Sequence, residues 1–264
     1  MKILLALKAV FLLSGAAFLF SACGGKTENS DPDTNNAIEI VSTPTPDSPS
    51  PAPKFPNLQA ELLDNRDKTT AAPLGSFDFK NYTYPLPRGW QDADGKEAAL
   101  ENGLRRGGEK TIGLSYVTTK YFDVTGDSQD EAFVILKILT AGSAIPQSVY
   151  VFTWKDDKPA LIWNFRTGDR TDGGLKDLRT ENGELVVELY GRDRYILGDS
   201  ETMKITGDEE QLCCPDSYTQ TFYKWNGSAF RVDGKRKTYS LTDKSAAPQE
   251  NLGDAINEKE KKGK

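Results

Sequence analysis

Hydrophobic and polar positions divide the 264-residue chain into four stretches of different character. Ala9 to Phe20 ("AVFLLSGAAFLF") is almost continuously apolar and follows Lys2 and Lys8. A run of this size matches a signal-peptide core and is too short for a bilayer interior of roughly 30 Å. Residues 1–22 are therefore read as a signal peptide. Residues 23–57 are polar, with Pro44, Pro46, Pro49, Pro51, Pro53 and Pro56 spaced along them. Proline lacks a ladder donor and stops helices, so this stretch reads as a disordered tether of polyproline II character. Residues 58–239 carry the apolar alternation of a folded domain, and 240–264 are polar again and read as a frayed tail.

Within 58–239 the pattern predicts strands. "GLSYVTTKYFDV" (Gly113 to Val124), "EAFVILKIL" (Glu131 to Leu139) and "SVYVFTWKDDKPALIWNFRT" (Ser148 to Thr167) are dense in Val, Ile, Thr and aromatic residues. Asp156, Asp157 and Pro159 break the last of these into a hairpin with strands near 149–155 and 159–166. Asn182-Gly183 and Asn226-Gly227 supply the positive φ of type I′ turns, so each predicts a further hairpin. "DGKEAALENGLRRG" reads equally as a short helix or as strands around Asn102-Gly103. No repeat of 20 to 50 residues is present, which argues against a propeller. The expected fold is mainly β, a single antiparallel β-sandwich or irregular barrel behind its tether.

Composition narrows the chemistry. The chain contains no histidine, which removes Ser-His-Asp and Cys-His catalysis and the commonest zinc ligand. Its net charge is −6, or −8 once Lys2 and Lys8 leave with the signal, so it carries no basic footprint for nucleic acid.

Ser21 and Ala22 stand directly before Cys23. This resembles the bacterial lipobox, Leu-(Ala/Ser)-(Gly/Ala)-Cys, with Phe20 in place of the leucine. The resemblance implies a diacylglyceryl thioether on Cys23, cleavage before it, and acylation of the new amino terminus. Several acyl chains hold a protein stably on a membrane where one does not. The expected location is the bacterial cell envelope, and Gly24 in place of Asp favours the outer membrane in a Gram-negative cell. The alternative is an ordinary secretory signal in which the cysteine is incidental.

"YFDVTGDSQDEAF" (Tyr121 to Phe133) concentrates oxygen ligands. Asp123, Thr125 and Asp127 alternate, with Gln129 and Glu131 following, and such spacing lets a curled chain gather oxygens on calcium. It resembles the Asp-x-(Asn/Thr)-Gly-Asp-Gly-x-x-(Asp/Glu) loops of calcium-binding β-repeat proteins, including FG-GAP modules, with Ser128 replacing the second glycine. The competing reading is a turn in which Asp123 and Thr125 bond nearby amides.

Cys213 and Cys214 are adjacent. An oxidising compartment favours a vicinal disulfide between them, which forms a strained eight-membered ring. Two thiols, or a redox pair, are the alternatives.

Lipobox, tether, "FDVTGDSQDEAFVIL", "GDRTDGGLKDLRTENGELVVELYG" and "CCPDSYTQTFYKWNGSAFRV" together resemble uncharacterised bacterial lipoproteins, a likeness that implies a shared fold and no assigned activity. Three functions follow as expectations. The first is a non-enzymatic lipoprotein that binds an envelope protein or glycan, with Tyr150, Trp154, Trp163 and Trp225 either forming an exposed aromatic patch or filling the core. The second is a hydrolase pairing carboxylates among Asp169, Asp172 and Glu188. The third is a thiol redox or sensor protein using Cys213 and Cys214.

Overall fold

The computed structural model describes residues 59–86, 91, 94–139, 146–169, 172–196, 203–205 and 214–250. The chain divides into two units, Met1–Pro51 and Ala52–Lys264, and every described residue belongs to the second. Cys23, the signal peptide and the tether lie outside the described residues.

After two 3-10 turns, Pro73–Ser76 and Phe79–Asn81, β1 (Thr83–Pro85) pairs with β2 (Glu97–Ala99). β3 (Leu104–Arg105), β4 (Gly113–Phe122), β5 (Glu131–Leu139), β6 (Gln147–Lys155) and β7 (Lys158–Arg166) form a first antiparallel sheet in chain order. β8 (Leu175–Glu181) and β9 (Glu184–Tyr190) begin a second sheet. β10 (Arg194–Ile196) and β11 (Met203–Ile205) form a separate short pair. β12 (Ser217–Trp225), β13 (Phe230–Ser240) and β14 (Gln249–Glu250) complete the second sheet, whose order is β14-β13-β12-β9-β8.

The two five-stranded sheets make a sandwich. Phe133, Ile135, Val149, Val151 and Phe165 of the first sheet meet Leu178, Leu185, Val187, Leu189 and Tyr223 of the second in one core. On its other face the first sheet buries Ala132, Val134, Leu136, Tyr150 and Phe152 beneath Leu74, Phe79, Tyr84 and Leu100. Burial on both faces explains why "AFVIL" is an unbroken apolar run rather than an alternating one. The second sheet turns Leu178, Leu185, Val187, Leu189 and Tyr223 to that core, and Val186 and Tyr190 on its other face are buried as well.

Turn chemistry sets the registers. Asp156 (φ 52°) and Asp157 (φ 56°) close the β6–β7 hairpin without a glycine, and Pro159 sits on the edge strand β7, where a missing donor is tolerated. Asn182 (φ 53°) and Gly183 (φ 79°) turn β8 into β9, with Glu181 opposite Glu184. Asn226-Gly227 departs from the type I′ expectation. Four residues separate Trp225 from its partner Phe230, only Gly227 has positive φ, and the Asn226 side chain accepts from the Ser228 and Ala229 amides. Around Asn102-Gly103 the helix alternative is corrected to a strand pair, since Glu101 bridges Leu104. The ordered chain also continues past the expected boundary at Tyr239: Asp243 accepts from the Ser245 amide, and Gln249 pairs with Thr238.

Candidate functional site

Register assigns the faces of the second sheet. Leu185, Val187 and Leu189 of β9 point to the core, so Val186, Glu188 and Tyr190 point away. Tyr218, Gln220 and Phe222 of β12 pair with Tyr190, Glu188 and Val186, and Tyr239 of β13 pairs with Tyr218. On β8 a bulge between Leu175 and Asp177 adds a residue, so that Lys176 and Asp177 both leave the core while Leu175 and Leu178 enter it.

These side chains form a locked polar lattice on the outer face. Lys176 Nζ donates to Glu188 Oε2 at 2.5 Å, and Arg179 donates to Glu188 Oε1 at 2.7 Å. Arg179 also pairs with Asp177 at 3.1 Å and with Glu181 at 2.8 Å. Gln220 Nε2 donates to Glu188 Oε1 at 3.2 Å, and its own oxygen accepts from the Tyr239 hydroxyl at 3.4 Å. The Lys176 ammonium lies 4.3 Å from the Tyr218 ring centre, and Tyr239 stacks on Tyr218 with centroids 5.2 Å apart and planes 13° from parallel. Burial works against the charge on Lys176, but the Glu188 carboxylate beside it outweighs this and raises its pKa. Burial raises the Tyr218 phenol, and the nearby Glu188 charge adds to that.

This arrangement was hidden in the sequence. Tyr218, Gln220 and Phe222 stand at the period of two that marks one sheet face, but Lys176, Arg179 and Glu188 meet them only through the bulge and the β9–β12 register.

The oxygen-rich turn after β4 is organised around its own backbone. Asp123 accepts from the Gly126 amide (2.7 Å) and the Ser128 amide (2.9 Å), and Asp127 accepts from the Gln129 amide (2.9 Å). Ser128 takes φ 67°, the left-handed position where the resembling loops carry glycine. Glu131 is fully buried and accepts from the Val124 amide (3.0 Å) and the Thr125 hydroxyl (3.2 Å). Burial raises its pKa and the Asp127 charge adds to that, while bonds from the Val124 amide and the Thr153 and Thr125 hydroxyls oppose the rise. Among the described residues, no three acidic, cysteine or histidine side chains stand together as a metal site.

The structure gives the remaining candidates separate roles. Asp172 donates its amide to the Asp169 carbonyl and binds Arg194 through its carboxylate at 2.7 Å, while Glu188 is held by Lys176 and Arg179. Asp172 and Glu188 thus each have their own cations. Tyr150 and Trp163 are buried, and Trp154 and Trp225 pack half-buried against the cores, so of the two alternatives these four residues fill the core and do not form an exposed patch. Cys214 is half-buried at the approach to β12, and Cys213 lies outside the described residues. No helix among the described residues is long and apolar enough to cross a membrane.

The chain matches no protein-family model, no curated protein and no solved structure.

Proposed function

We propose that the protein is a lipid-anchored lipoprotein of the bacterial cell envelope that binds a partner through the outer face of its second sheet, without catalysing a reaction. One observation carries the binding part. The face carries a lattice in which the buried Glu188 is held by Lys176, Arg179 and Gln220, with the half-exposed Tyr218, Gln220 and Tyr239 around it. Side chains fixed in this way lose little freedom when a partner docks, which suits recognition. The paired state of Glu188 also withholds it from acid or base work. Anchoring rests on the sequence around Cys23 and on the prolines that follow it.

Calcium at Asp123, Thr125, Asp127, Gln129 and Glu131 is a secondary proposal. It is supported by the number of oxygen-bearing side chains in that short turn.

The experiment for the main reading follows labelled fatty acid and membrane fractionation in cells expressing the full chain or its Cys23→Ser variant. The expected result is labelled, membrane-bound wild type and unlabelled variant released from the membrane. A variant that is still labelled and membrane-bound would remove the anchor.

A further inference from the structure

We infer that Lys176 and Glu188 condense into an intramolecular isopeptide bond, a self-modification that each chain undergoes once. This goes beyond the binding reading above and does not depend on it.

The geometry supplies each part of an acyl transfer. The Lys176 amine lies 2.5 Å from Glu188 Oε2, so the carboxyl carbon it would attack is one bond further on. Glu188 Oε1 already accepts from two donors, Arg179 Nη1 at 2.7 Å and Gln220 Nε2 at 3.2 Å. That is the oxygen on which negative charge gathers when the amine adds, and donors fixed there beforehand stabilise it. Glu61 stands 3.6 Å from the same amine, and its Oε2 is buried without a hydrogen-bond partner among the described residues. A second carboxyl with a spare acceptor is therefore at hand to carry protons. Lys120 differs: its hydrogen bonds among the described residues go to one carboxylate, Asp177, and to the Leu178 carbonyl, which leaves it an ion pair.

Burial drives the reaction. The Lys176 and Glu188 side chains are only 11% and 4% exposed, and the Tyr218 ring centre lies 4.3 Å from the amine. Two charges held in so little water carry a desolvation cost, which a neutral amide removes. The resting pair is an ammonium and a carboxylate. Transfer of one proton from Nζ to Oε2 makes both groups neutral. Burial, the largest influence on the Lys176 amine, favours its uncharged form, and the opposing Glu188 charge is gone once Glu188 holds the proton. The free amine then adds to the Glu188 carboxyl carbon. Glu61 takes a proton from the nitrogen and returns it to Oε2, which leaves as water. The Nζ–Cδ bond forms and the Cδ–Oε2 bond breaks. Two protons of the ammonium depart with Oε2, the third stays on the amide, and the positive and negative charges cancel. Arg179 keeps its bonds to Asp177 and Glu181.

The test is the intact mass, under denaturing conditions, of the full chain carrying Cys23→Ser, which keeps acyl chains from spreading the mass. The expected result is a deficit of one water, about 18 Da, against the mass of the sequence. Lys176→Arg keeps the positive charge but offers a guanidinium that does not deprotonate, so it should have full mass. Fragmentation of the tryptic peptides should show Lys176 joined to Glu188. Glu61→Gln should acquire the bond about a hundredfold more slowly, the scale of a lost proton-transfer group. Folded protein at the full sequence mass would overturn the bond, and this reading needs no variant to fold. A deficit that persists in Lys176→Arg would place the lost water elsewhere and overturn it equally. Bond formation in Glu61→Gln as fast as in the parent chain would overturn the role given to Glu61.

Discussion

The Lys120 ammonium of β4 lies 3.0 Å from Asp177 Oδ1 and 2.9 Å from the Leu178 carbonyl of β8, so one buried side chain ties the first sheet to the second. β4 lies next to the edge of the first sheet and β8 at the edge of the second. Replacing Lys120 with methionine keeps most of the volume but leaves Asp177 with one cation fewer. We expect a loss of about 3 kcal/mol in denaturant unfolding, the scale for breaking a largely buried pair by removing one partner. A change below about 0.5 kcal/mol would show that the pair is marginal, like an exposed one.

Glu131 makes stability depend on pH. Its pKa is raised in the folded protein, chiefly by burial, so the folded state holds a proton that the unfolded chain releases. Its contribution is therefore fully present below the unfolded value near 4.5 and is lost as pH rises through the folded value. Glu131→Gln preserves the shape and the bonds from Val124 and Thr125 but does not titrate. Melting curves from pH 4 upward should show the wild type losing ground to the variant as pH rises. Parallel curves would contradict this assignment.

The turn at Asp123 separates two accounts of its oxygens. Both carboxylate oxygens already accept backbone amides, so Asp123→Ala should cost about 2 kcal/mol, the scale for two charge-assisted bonds in an exposed turn. If the turn is closed by these bonds alone, the loss is the same in calcium and in chelator. Protection by calcium in the wild type that disappears in Asp123→Ala and Asp127→Ala would give the turn its metal.

Gly183 has φ 79°, and a Cβ there would meet nothing within 4 Å. Gly183→Ala therefore tests backbone conformation without steric contact. We expect it to cost about 1 kcal/mol in chemical unfolding, and a neutral result would mean that the turn relaxes to another type.

Local chemistry was largely legible in the sequence, and long-range placement was not. Asp156-Asp157 and Asn182-Gly183 mark their hairpins because positive φ is a property of the turn itself. Asn226-Gly227 misled over turn type because the Asn226 side chain, by accepting two amides, closes a longer loop. The layer containing Tyr84 and Ala98 escaped notice because strands of three residues carry no readable period. Trp163 and Tyr150 look the same in sequence whether they face solvent or core, and only the layer packed over each strand decides it. The outer lattice depends on a bulge at Lys176 and on a register between β9 and β12, neither of which has a local signature.

The central claim is that the face bearing Tyr218 and Tyr239 is the one that meets the envelope. Nitration of tyrosines in the full chain, free in detergent and bound to isolated envelopes, addresses it directly by mass spectrometry. The account predicts that binding protects Tyr239 and Tyr218 while the half-exposed Tyr82 and Tyr121, on other parts of the domain, react as before. Unchanged nitration of Tyr239 and Tyr218 in bound protein, or protection centred on Tyr82 and Tyr121, would contradict it.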